Sequence, residues 1–162
     1  MDLSGIETHA MYGKYPCRLP VWWGLYGEIG LEPEIKNIYG RKVILRIEKK
    51  FNRLEKLLAK IFRAPKEIRR PLDDKNSMLW QLCDGTRKFE DICKILDSLF
   101  HEDISPVIHR TAAGINLLKE KNLVTILNDE FTRKWSIGQG ITPKNQTLNE
   151  LDTSLGIIVE EE

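Results

Sequence analysis

Residues 74–100, DKNSMLWQLCDGTRKFEDICKILDSLF, hold two helical apolar stripes broken by a single Asp-Gly. Met78, Leu79, Leu82 and Cys83 share one face of a helix over 74–83. Asp84-Gly85 stops that helix, because glycine takes the left-handed conformation past a C-cap without a Cβ penalty. Phe89, Ile92, Cys93, Leu96, Leu99 and Phe100 then recur at helical spacing, which predicts a second helix over about 88–100.

Downstream, Ser105 suits an N-cap and Pro106 a first helical position, so a third helix is expected over 106–120. Ile108, Thr111, Ala112, Ile115 and Leu118 form its inward face, and Leu123–Leu127 reads as a strand. Upstream, residues 66–72 form a short strand. Pro71 cannot donate to a ladder, so this strand belongs at a sheet edge, with groups free to pair with another strand. Residues 35–49 read as a hairpin turning at Gly40, with Val43, Leu45 and Ile47 alternating against Ile44, Arg46 and Glu48. Residues 51–63 read as a helix ended by Pro65. Phe51, Leu54, Leu57, Leu58, Ile61 and Phe62 fall on one side and Arg53, Lys56, Lys60 and Arg63 on the other. Such a helix can lie on an anionic membrane, but docking of its apolar face on the protein body is the expectation.

The order is strand, strand, helix, strand, three helices, strand. It implies an α+β fold, winged helix-turn-helix-like, with a small antiparallel sheet, a three-helix unit and an extra basic helix. Residues 1–34, rich in Gly, Pro and aromatics, read as an irregular arm packing its rings on the core. Residues 35–127 read as the domain, and 128–162 as a partly flexible acidic extension.

The chain has 162 residues, enough for one domain with extensions, and its net charge is +1. The charge is unevenly spread. Residues 41–70 carry twelve basic and three acidic residues, net +9; residues 71–127 carry seven and nine, net −2; residues 145–162 carry five acids and no base, net −5. Three cysteines without a C-x-x-C argue against a disulfide framework or a zinc ribbon. The start lacks a basic region followed by an apolar run, and no stretch approaches membrane-spanning length, so a cytoplasmic protein is the default. No phosphate loop, nucleophile elbow or metalloprotease motif occurs, and His9, His101 and His109 are far apart in sequence. The expectation is a non-catalytic protein with no cofactor and no metal.

The run Trp80-Gln-Leu-Cys-Asp-Gly-Thr-Arg-Lys-Phe-Glu-Asp-Ile92 resembles the Trp-x-x-x-Asp-Gly stretch of PqqD-like proteins. The resemblance extends upstream through Pro65–Ser77 and downstream through Leu96, Phe100, Arg110, Leu117, Leu118 and Asn122-Leu123-Val124, covering roughly residues 36–127. Trp80, Asp84, Gly85 and Ile92 are its structural positions. Where the family caps its second helix with Thr or Ser, this chain has Lys88; Thr86 would cap two residues early. The resemblance implies a RiPP-recognition-element fold, which binds the leader segment of a precursor peptide by strand addition. The peptide is then presented to a modifying enzyme, often a radical SAM protein. Lys66, Ile68, Arg69, Arg70 and Leu72 on the edge strand would meet the peptide, with Val107, Arg110, Gly114 and Leu117 on the last helix. The basic side chains would favour an acidic peptide.

The alternative of a winged-helix DNA-binding regulator is weaker. The three-helix unit is net −2, a poor footprint for a polyanion, so nucleic acid is not expected as a partner. The acidic tail, Leu148–Glu162, has the composition a basic strand groove would accept, and could fill the proposed peptide site in cis.

Overall fold

The computed structural model describes residues 3–49, 53–62, 67–151 and 153–160. Its strands are β1 (Tyr15–Arg18), β2 (Trp22–Tyr26), β3 (Lys42–Glu48), β4 (Glu67–Pro71) and β5 (Val124–Leu127). Its helices are α1 (Arg53–Ile61), α2 (Asp74–Leu82), α3 (Phe89–Phe100) and α4 (Val107–Glu120). β2, β3 and β4 form an antiparallel sheet in that order, and β1 pairs with β5 in a separate antiparallel ribbon. The fold is therefore α+β, a small antiparallel sheet with several helices. Among the described residues no helix is long and apolar enough to cross a membrane.

Strand alternation divides the sheet into two faces. Val43 and Leu45 of β3, with Trp23 and Leu25 of β2, are fully or almost fully buried in the core. There they join Met78, Leu79, Trp80 and Leu82 of α2, Phe89, Ile92 and Leu96 of α3, and Ile115 of α4. Trp23 meets Trp80 edge-on, with centroids 6.3 Å apart and planes at 78°, an arrangement that suits the ring quadrupoles. Asp73 caps α2, its side chain accepting from the Asn76 amide at 2.8 Å. Ser77 ties α2 to the sheet by accepting from the Val43 amide at 2.8 Å.

Several expectations change. The hairpin over 35–49 does not form: residues 34–40 contain no strand, and β3 pairs with β2 and β4 instead. β2 was hidden in the sequence because Trp22-Trp23-Gly24-Leu25 is buried throughout and shows no period of two. Segment 1–34 is accordingly not an irregular arm, since it supplies both β1 and β2. Gly40 is required by proximity rather than by a hairpin turn, as a Cβ there would fall on the Leu31 carbonyl oxygen.

Helix α1 forms, but its apolar face is not docked on the body. Leu54, Leu57, Leu58, Ile61 and Phe62 are 43–76% exposed. Phe51, Arg63 and Pro65 lie outside the described residues. α4 begins at Val107 with Pro106 in the cap position and no side-chain cap, one residue later than predicted. α3 is likewise uncapped at Lys88, and Thr86 does not substitute, because its amide and hydroxyl both donate to Asp84 Oδ1.

The C-terminal extension lies on β2, not on β4. The amide of Leu25 donates to the Ile158 carbonyl at 2.8 Å, and Ile158 returns a bond to Leu25 at 2.7 Å. Gly24 permits this approach: a Cβ there would sit 2.8 Å from Ile157 Cγ2. The tail thus covers the edge opposite the proposed peptide site, and none of its described residues fills that site in cis.

All three cysteines are free and buried. Burial pushes the thiols of Cys17 and Cys93 up to about 11 and that of Cys83 up to about 12, from an ordinary value of 9.0. Between those values the folded chain holds protons that the unfolded chain releases, so stability falls as pH rises. Each thiol contributes a loss of about 1.4 kcal/mol per pH unit once its unfolded form ionises. Urea midpoints measured upward from neutral pH should hold until about 9 as far as these groups are concerned, then decline. Replacing Cys83 by alanine should flatten that decline.

Candidate peptide edge and neighbouring clefts

Among the described residues β4 pairs with β3 alone, which leaves its other side open. Ile68 opposes Ile47, Arg69 opposes Arg46 and Arg70 opposes Leu45. The amide of Leu72 donates to the Val43 carbonyl at 2.8 Å. Antiparallel ladders alternate, so Arg70 and Ile68 direct their backbone groups to β3 as Leu72 does. Glu67 and Arg69 therefore direct theirs to the open side. Pro71 shares that direction but carries no N–H, which makes Arg69 the last outward donor before the strand ends.

The side chains also alternate. Ile68 and Arg70 share the face of Ile47 and Leu45, so they flank the core at the exposed rim. Glu67 and Arg69 lie on the other face. There Glu67 is buried and accepts from Arg46 Nε at 2.9 Å, with both side chains 3% exposed. Arg69 reaches the second carboxylate oxygen of Glu67 at 3.3 Å. The Arg46 guanidinium also lies 4.5 Å from the centre of the Trp22 ring and donates to the Asn149 carbonyl of the extension. One buried ion pair thus joins β4, the rest of the sheet and the tail.

Of the predicted edge residues, Ile68, Arg69 and Arg70 are exposed and Leu72 is half-buried against the core. Lys66 lies outside the described residues. Of the predicted α4 residues, Arg110, Gly114 and Leu117 line one hollow of about 270 Å³ with Asn76, Leu79 and Asp73. Val107 does not join them. It is 3% exposed and belongs to the core, because its side chain points inward from the first turn of α4. Gly114 is a close-packing position: a Cβ there would sit 2.7 Å from Leu79 Cδ2 on α2. No β4 residue lines the hollow, and the two sets connect through Leu72-Asp73, where the strand hands over to α2.

The resemblance positions are structural. Trp80 and Ile92 are fully buried. Asp84 holds its turn by accepting from Thr86 and by pairing with Arg87 at 2.6 Å. Gly85 has φ +79°, and a Cβ would sit 2.4 Å from Phe131 Cβ, so both conformation and space demand glycine. It lies two residues past the C-cap Cys83.

The sequence reading missed a second, larger cleft of about 1330 Å³ between the helical unit and the extension. Lys36, Arg133, Lys134 and Lys144 line it together with Phe131 and Trp135. The signal was the Arg133-Lys134-Trp135 run, obscured because the extension looked acidic and structureless as a whole. Trp135 is anchored by donating from Nε1 to the Arg18 carbonyl at 2.7 Å. Comparison of the chain with family models, with curated proteins and with solved structures gives no match to any of them.

Proposed function

We propose that this chain is a non-catalytic peptide-binding protein. It takes the leader segment of a precursor peptide as an added strand on β4 and presents it to a modifying enzyme, which for the PqqD-like proteins it resembles is often a radical SAM protein. The observation that carries the reading is the open side of β4, where Arg69 directs both its N–H and its C=O outward beside exposed Ile68 and Arg70. Strand addition draws affinity from such backbone groups and specificity from alternate side chains. Arg69 and Arg70 favour an acidic strand, and Ile68 offers an apolar contact at the rim. The DNA-binding alternative draws little support from α4, whose Arg110 is held by the Asp103 carbonyl at 2.9 Å.

The test is titration of the full chain with a peptide encoded by a short reading frame beside its gene. Arg69→Pro removes the outward N–H and leaves the β3 ladder intact, since that amide does not serve β3. It should weaken binding on the order of tenfold or more, while Arg69→Ala, which keeps the amide, weakens it less. Equal binding by the wild type and Arg69→Pro would exclude strand addition at β4. Loss of binding on changing Arg133 and Lys134 alone would move the site to the large cleft.

A further inference from the structure

Helix α1 falls between β3 and β4 in chain order. Its apolar residues recur at 54, 57, 58 and 61, and Phe62 extends the stripe. All five side chains face solvent, with Phe62 at 76% exposure the extreme. Soluble proteins rarely leave a contiguous stripe of that kind open unless something covers it. The opposite side of the helix carries Arg53, Lys56 and Lys60, with one acid, Glu55. The flanking sequence adds Lys49, Lys50 and Arg63, within a segment of net +9.

An occupant must therefore accept an apolar ridge along a line bordered by cations. A second copy of the chain would bring the same positive charge to the same place, and like charges facing each other are unfavourable. An anionic bilayer meets both demands at once. The leucine and phenylalanine side chains enter the boundary between headgroups and acyl chains. The lysine and arginine stems extend along it and keep their charges at the headgroup level. Strong amphipathicity with little overall hydrophobicity is the pattern of a helix that lies in an interface rather than across a membrane. We infer that α1 is a reversible anchor, which lays the chain on an anionic lipid surface through Leu54, Leu57, Leu58, Ile61 and Phe62, with its cations against the headgroups.

This anchor is independent of the peptide reading. The two are neighbours in chain order, α1 ending at Ile61 and β4 beginning at Glu67.

Flotation of the full chain with vesicles tests it. Vesicles of phosphatidylcholine carrying about 30% phosphatidylglycerol should lift the protein, and pure phosphatidylcholine should not. Raising salt from about 0.1 M to about 1 M should release it, because screening shortens from about 10 Å to about 3 Å. Leu57→Glu with Ile61→Glu should reduce flotation by at least about tenfold. Lys56→Glu with Lys60→Glu should abolish the preference for anionic vesicles while keeping the apolar ridge. All four side chains are on the exposed helix, so the variants should melt with the wild type. Arg69→Pro should still float, which separates this anchor from the peptide site. Absence of flotation by the wild type, equal flotation on neutral vesicles, or unchanged flotation of Leu57→Glu/Ile61→Glu would each overturn the inference. So would a dimer in sedimentation that the same pair of substitutions dissolves without any vesicle binding, since the face would then belong to a second copy.

Discussion

Arg18→Met is expected to lower folding stability by about 3–5 kcal/mol. Arg18 is 4% exposed at the end of β1. Its Nη1 donates to the carbonyls of Trp80 and Gln81 at 2.9 and 2.8 Å, the last turn of α2. Its Nε and Nη2 both reach the Ile137 carbonyl at 3.2 Å, and its guanidinium lies 4.9 Å from the centre of the Trp23 ring. A helix ends with carbonyls that have no intrahelical donor, and here a buried cation supplies them where the helix dipole is negative. Methionine fills most of the volume and makes none of these bonds. The Gln81 carbonyl then has no donor among the described residues, which costs about 1–3 kcal/mol. The Trp80 carbonyl keeps the Cys83 amide at 3.2 Å and the Ile137 carbonyl keeps Trp23 Nε1 at 2.9 Å, but each loses a bond from a charged donor, and such bonds are at the strong end. Urea unfolding should show a lower midpoint with an unchanged slope. A loss below about 1 kcal/mol would mean that water replaces the guanidinium, and that this end of α2 is less closed than its burial indicates. The effect should also reach the large cleft, since Ile137 is one of its walls and its carbonyl would keep the Trp23 Nε1 bond at 2.9 Å but lose both bonds from Arg18. Faster exchange of amides over 131–138, on a chain that remains folded, would register that loosening.

The helical unit was legible because its information is local. Phe89, Ile92, Cys93 and Leu96 all face the core, and Gly85 takes the left-handed conformation that the end of α2 needs. The edge position of β4 was legible from one proline. The rest depended on contacts between distant residues. β2 pairs with β3 across a connection of fifteen residues with no strand in it, residues 27–41, and its double tryptophan shows no alternation because both faces are covered. One face belongs to the core, and Trp22 on the other lies under the Arg46 guanidinium. The tail shows the same limit from the other side. Its acidity suggested the basic strand, yet its backbone found the edge of β2, where Gly24 leaves room. Hydrogen bonding and shape fixed the place, and net charge did not. Val107 departs from the expected outer face for a related reason: the first turn of α4 packs against the body, which sequence spacing does not report.

Glu67→Leu alone is expected to cost about 3–5 kcal/mol, and Glu67→Leu with Arg46→Met to recover most of it. The single change strands the Arg46 guanidinium, 3% exposed, with the Asn149 carbonyl and the Trp22 ring as its remaining partners among the described residues. A buried charge without its counter-ion costs more than the pair is worth, because neither water nor an opposite charge replaces what is removed. Two apolar side chains of similar volume carry no such debt. A double-mutant cycle in urea isolates the coupling between the two sites, which should exceed 1 kcal/mol by a clear margin, at about 2–3. A cycle that closes near zero would show that Arg69, 3.3 Å from Glu67, already screens the carboxylate on its own. The recovered variant then separates stability from recognition. With Arg46 gone, the Asn149 carbonyl loses its donor; with Glu67 gone, Arg69 loses its tether on the outer face. β4 should still pair with β3, because the Leu45–Arg70 and Ile47–Ile68 bonds are backbone bonds. On the proposed reading, in which β4 takes a peptide strand, an ion pair that only stabilises the sheet leaves peptide binding by the double variant equal to that of the wild type. If it fixes where the Arg69 side chain stands beside an incoming strand, the double variant folds as well as the wild type and binds an acidic peptide with altered salt dependence, since Arg69 is then free to pair with the ligand rather than with Glu67.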